Sequence, residues 1–208
     1  MNKKIISRLK DELSWGLLYA KDFNYRFGYF SKEGVLVKKY FKNPGRVLVL
    51  GSGNGREARP ISGGKDKIFC VDYVRFYLEA GKKLFASDGI SGVEFLQADI
   101  YKLPFKRSSF GFIFNSLYTN YASFRIQMLK SLRELICDGG YLLLTTQARH
   151  YLDIGNKMGW DKKFFSDWTN IEDPEQISEE STECGFERLE TIQDDKRSEY
   201  IFSMLRAV

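Results

Sequence analysis

The feature that most constrains this chain is an apolar run that stops at three alternating glycines. Residues 47–57 read Val-Leu-Val-Leu-Gly-Ser-Gly-Asn-Gly-Arg-Glu. Such a pattern is typical of a buried parallel strand that ends in a tight loop and leads into a helix. Glycine permits positive φ and lets a ligand lie against bare backbone, and a helix start offers unpaired N–H groups. The pattern therefore predicts a nucleotide-like cofactor at the end of this strand.

The spacing of the glycines separates the possible cofactor classes. A dinucleotide fingerprint reads G-x-G-x-x-G, whereas here the glycines are Gly51, Gly53 and Gly55, and Arg56 stands where the third glycine of that fingerprint would be. No Gly-Lys-Ser/Thr follows, which excludes a P-loop. The glycine loop alone is a weak signal, because glycines also punctuate ordinary turns.

Acidic residues end the next two apolar runs. The strand predicted at 67–71 ends in Asp72, whose two oxygens can bind both hydroxyls of a ribose, and Tyr73 beside it can cover an adenine ring. The third apolar run ends in Asp99, which can accept from an exocyclic amine while Ile100 presses on the base. Either aspartate alone is more often a cap or turn residue. Glycines, Asp and Asp in this order at three strand ends favour an adenosine site.

These segments resemble class I S-adenosylmethionine-dependent methyltransferases. The segments that carry the resemblance are V-L-V-L-G-S-G-N-G-R-E, I-F-C-V-D-Y, F-L-Q-A-D-I-Y-K-L-P-F, S-F-G-F-I-F-N-S-L-Y and D-G-G-Y-L-L-L-T. The resemblance is close over about residues 45–147, and the most specific piece is Asp-Ile-x-x-Leu-Pro-Phe. It implies an α/β fold: a Rossmann-like, doubly wound, mostly parallel seven-stranded sheet with a final antiparallel strand and helices on both faces.

The resemblance also implies a cofactor, S-adenosylmethionine, and a set of residues around it. The three glycines would face the methionine part, Asp72 the ribose, and Asp99 with Ile100 the adenine. The predicted cofactor-binding residues are Gly51, Ser52, Gly53, Asn54, Gly55, Asp72, Tyr73, Asp99, Ile100 and Asn115. One position departs from the family, which commonly places an acid two residues before the first glycine to help hold the cofactor's amino group. Here that residue is Val49, which predicts another acceptor, such as a main-chain carbonyl, or weaker binding.

The residues on the methyl-acceptor side are less defined. Methyl transfer depends mainly on aligning the acceptor with the methyl carbon, and a protonated O or N acceptor also needs a base. The candidates are Tyr118, Tyr121 and His150, although a lone His is more often structural. The segment 115–118 faintly echoes an Asn-Pro-Pro-Tyr signature of amino-directed nucleic-acid methyltransferases but lacks both prolines. An ordinary loop capped by Asn115 is the favoured interpretation.

The chain divides into a cap and a catalytic domain. Residues 1–44 are predicted to form a helical, aromatic-rich cap, with a first helix over 3–20, and residues 45–208 the methyltransferase domain. The aromatic residues of the cap can wall an acceptor pocket or simply pack onto the sheet. Residues 148–170 are predicted to be a lid or an insertion. Further helices are predicted at 34–42, 74–87, 122–137 and 174–184, a short helix around Pro60, and later strands at 141–145, 186–193 and 199–206.

Composition sets the remaining expectations. The 208 residues, 43% hydrophobic and 28% charged, suit one globular core. Three dispersed cysteines, without a C-x-x-C, and a single His predict no metal site and reduced thiols in the cytoplasm. No signal peptide or membrane span is expected. The first 46 residues hold eleven Lys and Arg against four acids, which favours a solvated helical face over a patch that binds RNA or anionic lipid.

The favoured function is methyl transfer from S-adenosylmethionine to an O, N or C atom of a small molecule. Two alternatives stay open: an RNA or protein methyltransferase that uses the basic N-terminal segment, and a non-catalytic partner subunit of the same fold, for which Val49 is the main support. A nicotinamide-dependent oxidoreductase is disfavoured by Arg56. The sequence predicts neither the acceptor nor the oligomeric state.

Overall fold

A seven-stranded sheet flanked by helices forms the protein. The computed structural model describes residues 31–115, 122–147, 174–193 and 200–208. The helices are α1 (Ser31–Tyr40), α2 (Arg75–Ser87), α3 (Ala122–Leu135) and α4 (Pro174–Glu183). The strands are β1 (Arg46–Leu50), β2 (Lys67–Asp72), β3 (Val93–Gln97), β4 (Phe110–Asn115), β5 (Ile136–Gln147), β6 (Phe186–Gln193) and β7 (Tyr200–Ala207), and two short 3-10 helices lie at Arg59–Ile61 and Ile100–Lys102.

The strand order is β3-β2-β1-β4-β5-β7-β6. Strands β1 to β5 pair in parallel, and β7 runs antiparallel to both β5 and β6. The chain leaves β1 toward β2 and β3 on one side and returns to β4 and β5 on the other, so the order reverses between β1 and β4. In open sheets of this kind, ligands bind outside the carboxyl ends of the strands at this point. The predicted fold class is confirmed.

Alternate residues of β1 explain why its sequence is an unbroken apolar run. Val47 and Val49 pack with α1 and α2 on one face, and Leu48 and Leu50 pack with α3 and α4 on the other. All four side chains are at most 1% exposed. A central parallel strand is covered on both faces, so every position of the run is apolar, and the strand is held rigidly where its carboxyl end carries the glycine loop.

The segment after β1 contains less helix than the sequence suggests. Residues 51–58 form consecutive turns, and the short helix predicted around Pro60 is a three-residue 3-10 helix. The N–H of Arg59 donates to the carbonyl of Gly55 at 3.2 Å, but Pro60 has no N–H with which to extend that ladder. Two glycines then follow at 63 and 64. The segment therefore does not present the regular helix N-terminus that the glycine pattern predicted.

Strand β5 begins earlier than predicted. Helix α3 ends at Leu135 and the strand starts at Ile136, whereas the sequence predicts a helix to 137, a turn, and a strand from 141. Ile136 pairs with Phe110, and the register shifts before the next pair, Phe112 with Tyr141. The predicted Asp-Gly-Gly turn is thus an irregularity within the strand, where Gly139 has φ of 74°.

Several predicted elements lie outside the described residues. These are the helix over 3–20, most of the aromatic cap, and the lid at 148–170. The second helix of the cap is described and begins at Ser31 rather than 34. Within the ranges that the structure describes, no helix combines the length and apolar character that crossing a membrane requires.

Candidate functional site

The glycine loop has the backbone that its sequence requires. Gly51, Gly53 and Gly55 have φ of 62°, 53° and 92°, values that L side chains rarely adopt. A Cβ on Gly53 would meet no atom within 4 Å, whereas a Cβ on Gly55 would lie 3.0 Å from the ring of Phe85 and 3.1 Å from that of Phe95. The backbone at Gly53 is therefore open to a ligand, and Gly55 allows α2 and β3 to pack closely behind the loop.

Asp72 joins the glycine loop to the second strand. Its Oδ2 accepts from the N–H of Gly53 at 2.8 Å, and its Oδ1 accepts from the N–H of Val74 at 2.9 Å. Burial raises the pKa of Asp72 above its usual range, these two backbone donors oppose the rise, and the Glu57 carboxylate adds to it. A carboxylate oxygen has a second lone pair, so both oxygens keep capacity for ribose hydroxyls. The structure thus brings the first predicted acid into contact with the predicted loop.

The second predicted acid caps a short helix. Asp99 Oδ1 accepts from the N–H of Tyr101 at 3.1 Å and caps the 3-10 helix that follows β3. Ile100 is only 6% exposed and belongs to the core on the α3 face. The backbone carbonyl of Tyr73 accepts from Gln97 Nε2 at 2.8 Å, which links the ends of β2 and β3. Contacts of these three residues with an adenine remain predictions.

Asn115 lies beside the loop but below the surface. It ends β4 in register with Leu50, the residue before Gly51. Its side chain is fully buried, and its Nδ2 donates to Met128 Sδ at 3.1 Å, while its Oδ1 has no hydrogen-bond partner among the described residues. A buried acceptor without a donor is uncommon and costly. The acceptor-side candidates Tyr118, Tyr121 and His150 lie outside the described residues.

A buried ion cluster behind the glycine loop was not foreseen from the sequence. Arg56 Nη1 donates to Glu33 Oε2 at 2.9 Å, and its Nη2 donates to Glu57 Oε1 at 2.5 Å. The three residues are 6%, 0% and 3% exposed, respectively. Buried charges are costly unless they are paired, and here the pairing fastens α1 to the residues after the loop. The adjacent Arg-Glu pair was visible in the sequence, but its partner lies 23 residues away.

The described residues fit a ligand built on adenosine. Asp72 offers acceptors for a ribose diol, and open backbone lies next to it at Gly53. Among the residues that the structure describes, no group of three or more His, Cys, Asp or Glu side chains could hold a metal ion.

The comparisons with known proteins agree with this geometry. The sequence model of the methyltransferase domain family matches residues 48–144, which span β1 to β5 and include every predicted cofactor-binding residue. No curated protein matches the chain in sequence. The match covers just under half of the chain and supports the predicted resemblance to class I S-adenosylmethionine-dependent methyltransferases, with S-adenosylmethionine as the cofactor.

Solved structures share the fold at low identity. A SAM-dependent methyltransferase from Methanosarcina mazei is 16% identical, with a TM-score of 0.65 over 83% of this chain and 97% of that one. The [4+2]-cyclase SpnF is 15% identical, with a TM-score of 0.69 over 84% and 78%. A complex of the Haloferax volcanii Trm112 methyltransferase activator with a methyltransferase contains a chain with the same identity and TM-score over 84% and 88%. At these identities the likeness shows the fold.

Proposed function

We propose that this protein is an enzyme that transfers a methyl group from S-adenosylmethionine to an O, N or C atom of a small molecule. The observation that carries the proposal is the contact between Asp72 and the Gly53 N–H. It puts a partly buried carboxylate next to open glycine backbone at the carboxyl ends of β1 and β2, within a domain of the methyltransferase family. This arrangement suits an adenosine whose ribose rests on the acid and whose amino-acid part follows the loop.

The residues of the protein bind the cofactor and align it with the methyl acceptor. When bound, S-adenosylmethionine supplies an electrophilic methyl group on a sulfonium. Asp72 orients the ribose, the loop from Gly51 to Gly55 follows the methionine part, and Asp99 with Ile100 bounds the adenine. Fixing one reactant in this way converts a bimolecular step into an effectively unimolecular one. Tyr118, Tyr121 and His150 are the candidates to orient the acceptor or remove its proton.

We further propose the division of labour expected from the sequence. Residues 1–44 cap the domain formed by 45–208, and residues 148–170 act as a lid over a small-molecule acceptor. The setting is the cytoplasm, where the three cysteines stay reduced. Burial raises the pKa of the Cys70 and Cys184 thiols, which suits unreactive thiols of the core.

The second candidate function is that this protein works together with a partner protein, or is itself a partner subunit. One structural neighbour is a complex that contains a methyltransferase activator, and another is a [4+2]-cyclase, so proteins of this fold also work with a partner or carry other chemistry. An RNA or protein acceptor that uses the basic N-terminal segment would show itself in acceptor binding that weakens steeply with salt. A small neutral acceptor would show little salt dependence.

Calorimetry with defined ligands tests the proposal. We expect S-adenosylmethionine and S-adenosylhomocysteine to bind with micromolar to sub-millimolar Kd, about −5 to −8 kcal/mol, and NAD not to bind. Binding of NAD without binding of either adenosyl compound would refute the assignment. Binding without methyl transfer to any acceptor tried, and with transfer restored by a co-purified protein, would favour the partner-subunit alternative.

A further inference from the structure

The cofactor carries positive charge, and no residue of the predicted site has so far been assigned to pair with it. S-adenosylmethionine has an α-ammonium and a sulfonium, and S-adenosylhomocysteine retains the ammonium. The end of β1 cannot supply an anion, because Val49 and Leu50 are apolar and at most 1% exposed. Asp72 already accepts from two backbone donors and is assigned to the ribose. The following inference rests on the proposed function and concerns the ammonium group alone.

Glu57 is a buried acid in the segment that directly follows the glycine loop. It follows Gly55 by two residues and is 3% exposed. Its neighbour Ala58 belongs to the same core cluster as Val49 and Cys70, which are register partners on β1 and β2. The segment that carries Glu57 thus packs on the same face of β1 and β2 as Val49 and Cys70.

Electrostatics agree with that location. Burial, followed by the Glu57 carboxylate, raises the pKa of the Cys70 thiol well above its usual range. The same carboxylate contributes to the raised pKa of Asp72. Cys70 and Asp72 are two residues apart on β2 and so face the same side of the sheet. The Glu57 carboxylate thus acts on two groups on that side of β2, one of which is the acid proposed for the ribose.

We propose that the Glu57 carboxylate holds the α-ammonium group of the cofactor and that Arg56 and Glu33 position it. Arg56 binds Glu57 through one oxygen, Oε1, which leaves Oε2 to accept from a ligand. Glu33 fixes the guanidinium through both of its own oxygens, at 2.9 and 3.4 Å. The carboxylate is thus oriented before the ligand arrives, and a preoriented charged acceptor loses little freedom on binding.

A variant–ligand cycle separates this role from a purely structural one. The variant is Glu57→Gln, which keeps the size of the side chain and removes its charge. The ligands are S-adenosylhomocysteine and its deaminated analogue, which differs only by the missing ammonium group. We expect the variant to lose at least tenfold in affinity for S-adenosylhomocysteine and less than twofold for the analogue. The difference isolates the coupling between carboxylate and ammonium.

The outcomes of this cycle distinguish failure of the Glu57 proposal from failure of the proposed function. Equal losses for both ligands would overturn the proposal and leave Glu57 as a structural residue. If wild type binds neither ligand, the proposed function itself fails. Glu33→Gln is the comparison variant, because it removes a buried carboxylate from the same Arg56 but leaves the proposed ammonium acceptor in place. We expect it to lower the melting temperature and to reduce the preference for the ammonium-bearing ligand less than Glu57→Gln does; an equal or larger reduction would overturn the proposal.

A second measurement does not depend on the folding of any variant. In a crystal structure of the wild-type protein with S-adenosylhomocysteine, the ammonium nitrogen should lie about 3 Å from Glu57 Oε2. An ammonium group that contacts only main-chain carbonyls, with Glu57 beyond direct reach, would overturn the proposal even if the cofactor binds as expected.

Discussion

Replacing Asp72 gives the sharpest test of where the ribose lies. In the structure this carboxylate accepts hydrogen bonds from the Gly53 and Val74 N–H groups, and in the proposed function it also binds the ribose. Asp72→Ala removes both functions. Asp72→Asn keeps one oxygen for a backbone donor but loses the charge and half of the acceptor capacity.

The expected magnitudes follow from the number of charge-assisted hydrogen bonds. Each contributes about 1.5–3 kcal/mol. Loss of two ribose contacts in Asp72→Ala should therefore cost about 3 kcal/mol or more, which is over a hundredfold in Kd. We expect Asp72→Asn to lose roughly tenfold, or about 1.4 kcal/mol.

Titration calorimetry with S-adenosylhomocysteine measures these losses, with melting temperatures to show that the variants fold. The control ligand is 2′,3′-dideoxyadenosine, which lacks the 2′- and 3′-hydroxyls of the ribose. It should bind wild type and Asp72→Asn with the same affinity. Because burial raises the pKa of Asp72, the wild-type affinity should decline as pH falls toward that raised pKa, since the carboxylate loses its acceptor form. Asp72→Asn should lack this decline. Unchanged affinity for S-adenosylhomocysteine in Asp72→Ala would show that the ribose is bound elsewhere.

Two further predictions concern the packing and the adenine end of the site. Gly81→Ala would place a Cβ 2.8 Å from the backbone oxygen of Asn54 in the glycine loop, and overpacking of this kind costs about 1–3 kcal/mol, so both the melting temperature and S-adenosylhomocysteine affinity should fall. Gly64→Ala, whose Cβ would meet nothing closer than 3.9 Å, is the matched control and should leave both unchanged. Asp99→Ala should weaken cofactor binding less than Asp72→Ala in the same assay, because the contact proposed for Asp99 is a single hydrogen bond to the adenine amine; the opposite ranking would reverse the two assignments.

The interior strands of the sheet could be predicted because a strand that is buried on both faces has an almost unbroken apolar sequence. The runs at β1, β2 and β4 are apolar at almost every position, and the structure shows all three as interior strands of the sheet. The prediction from sequence was wrong where a local turn pattern competes with pairing to a strand that is distant in the chain. The turn chemistry of Asp138-Gly139-Gly140 indicated a helix end followed by a strand, yet Ile136 already pairs with Phe110 on the neighbouring strand. That pairing depends on a residue 26 positions earlier in the chain and has no local signal.

The same distinction between local signals and long-range contacts determines which parts of the site could be predicted. Glycines and acids at strand ends are local signals, and the structure confirms that the loop and Asp72 meet. The cluster around Arg56 depends on Glu33, which in the sequence is one acid within a basic segment. In the sequence, Arg56 indicates only that a dinucleotide site is absent, whereas the structure shows it buried between two carboxylates.

The ion pair between Glu33 and Arg56 leads to a prediction about truncation. Removing residues 1–30 leaves α1, with its buried Leu36 and Val37 and its pair with Arg56, in place. We expect this truncated protein to fold and to bind S-adenosylhomocysteine with nearly wild-type affinity.

Removing residues 1–42 instead should destabilise the fold severely. Breaking a buried pair costs about 3–5 kcal/mol, and losing two buried aliphatic side chains costs about 1.5–3 kcal/mol each, a sum comparable with the whole stability of a typical domain. Thermal melts and S-adenosylhomocysteine titrations of the two truncations make the comparison. If the shorter deletion already abolished binding by a folded protein, residues 1–30 would form part of the cofactor site. If the longer deletion melted like the full chain, the pair with Arg56 would contribute nothing to stability.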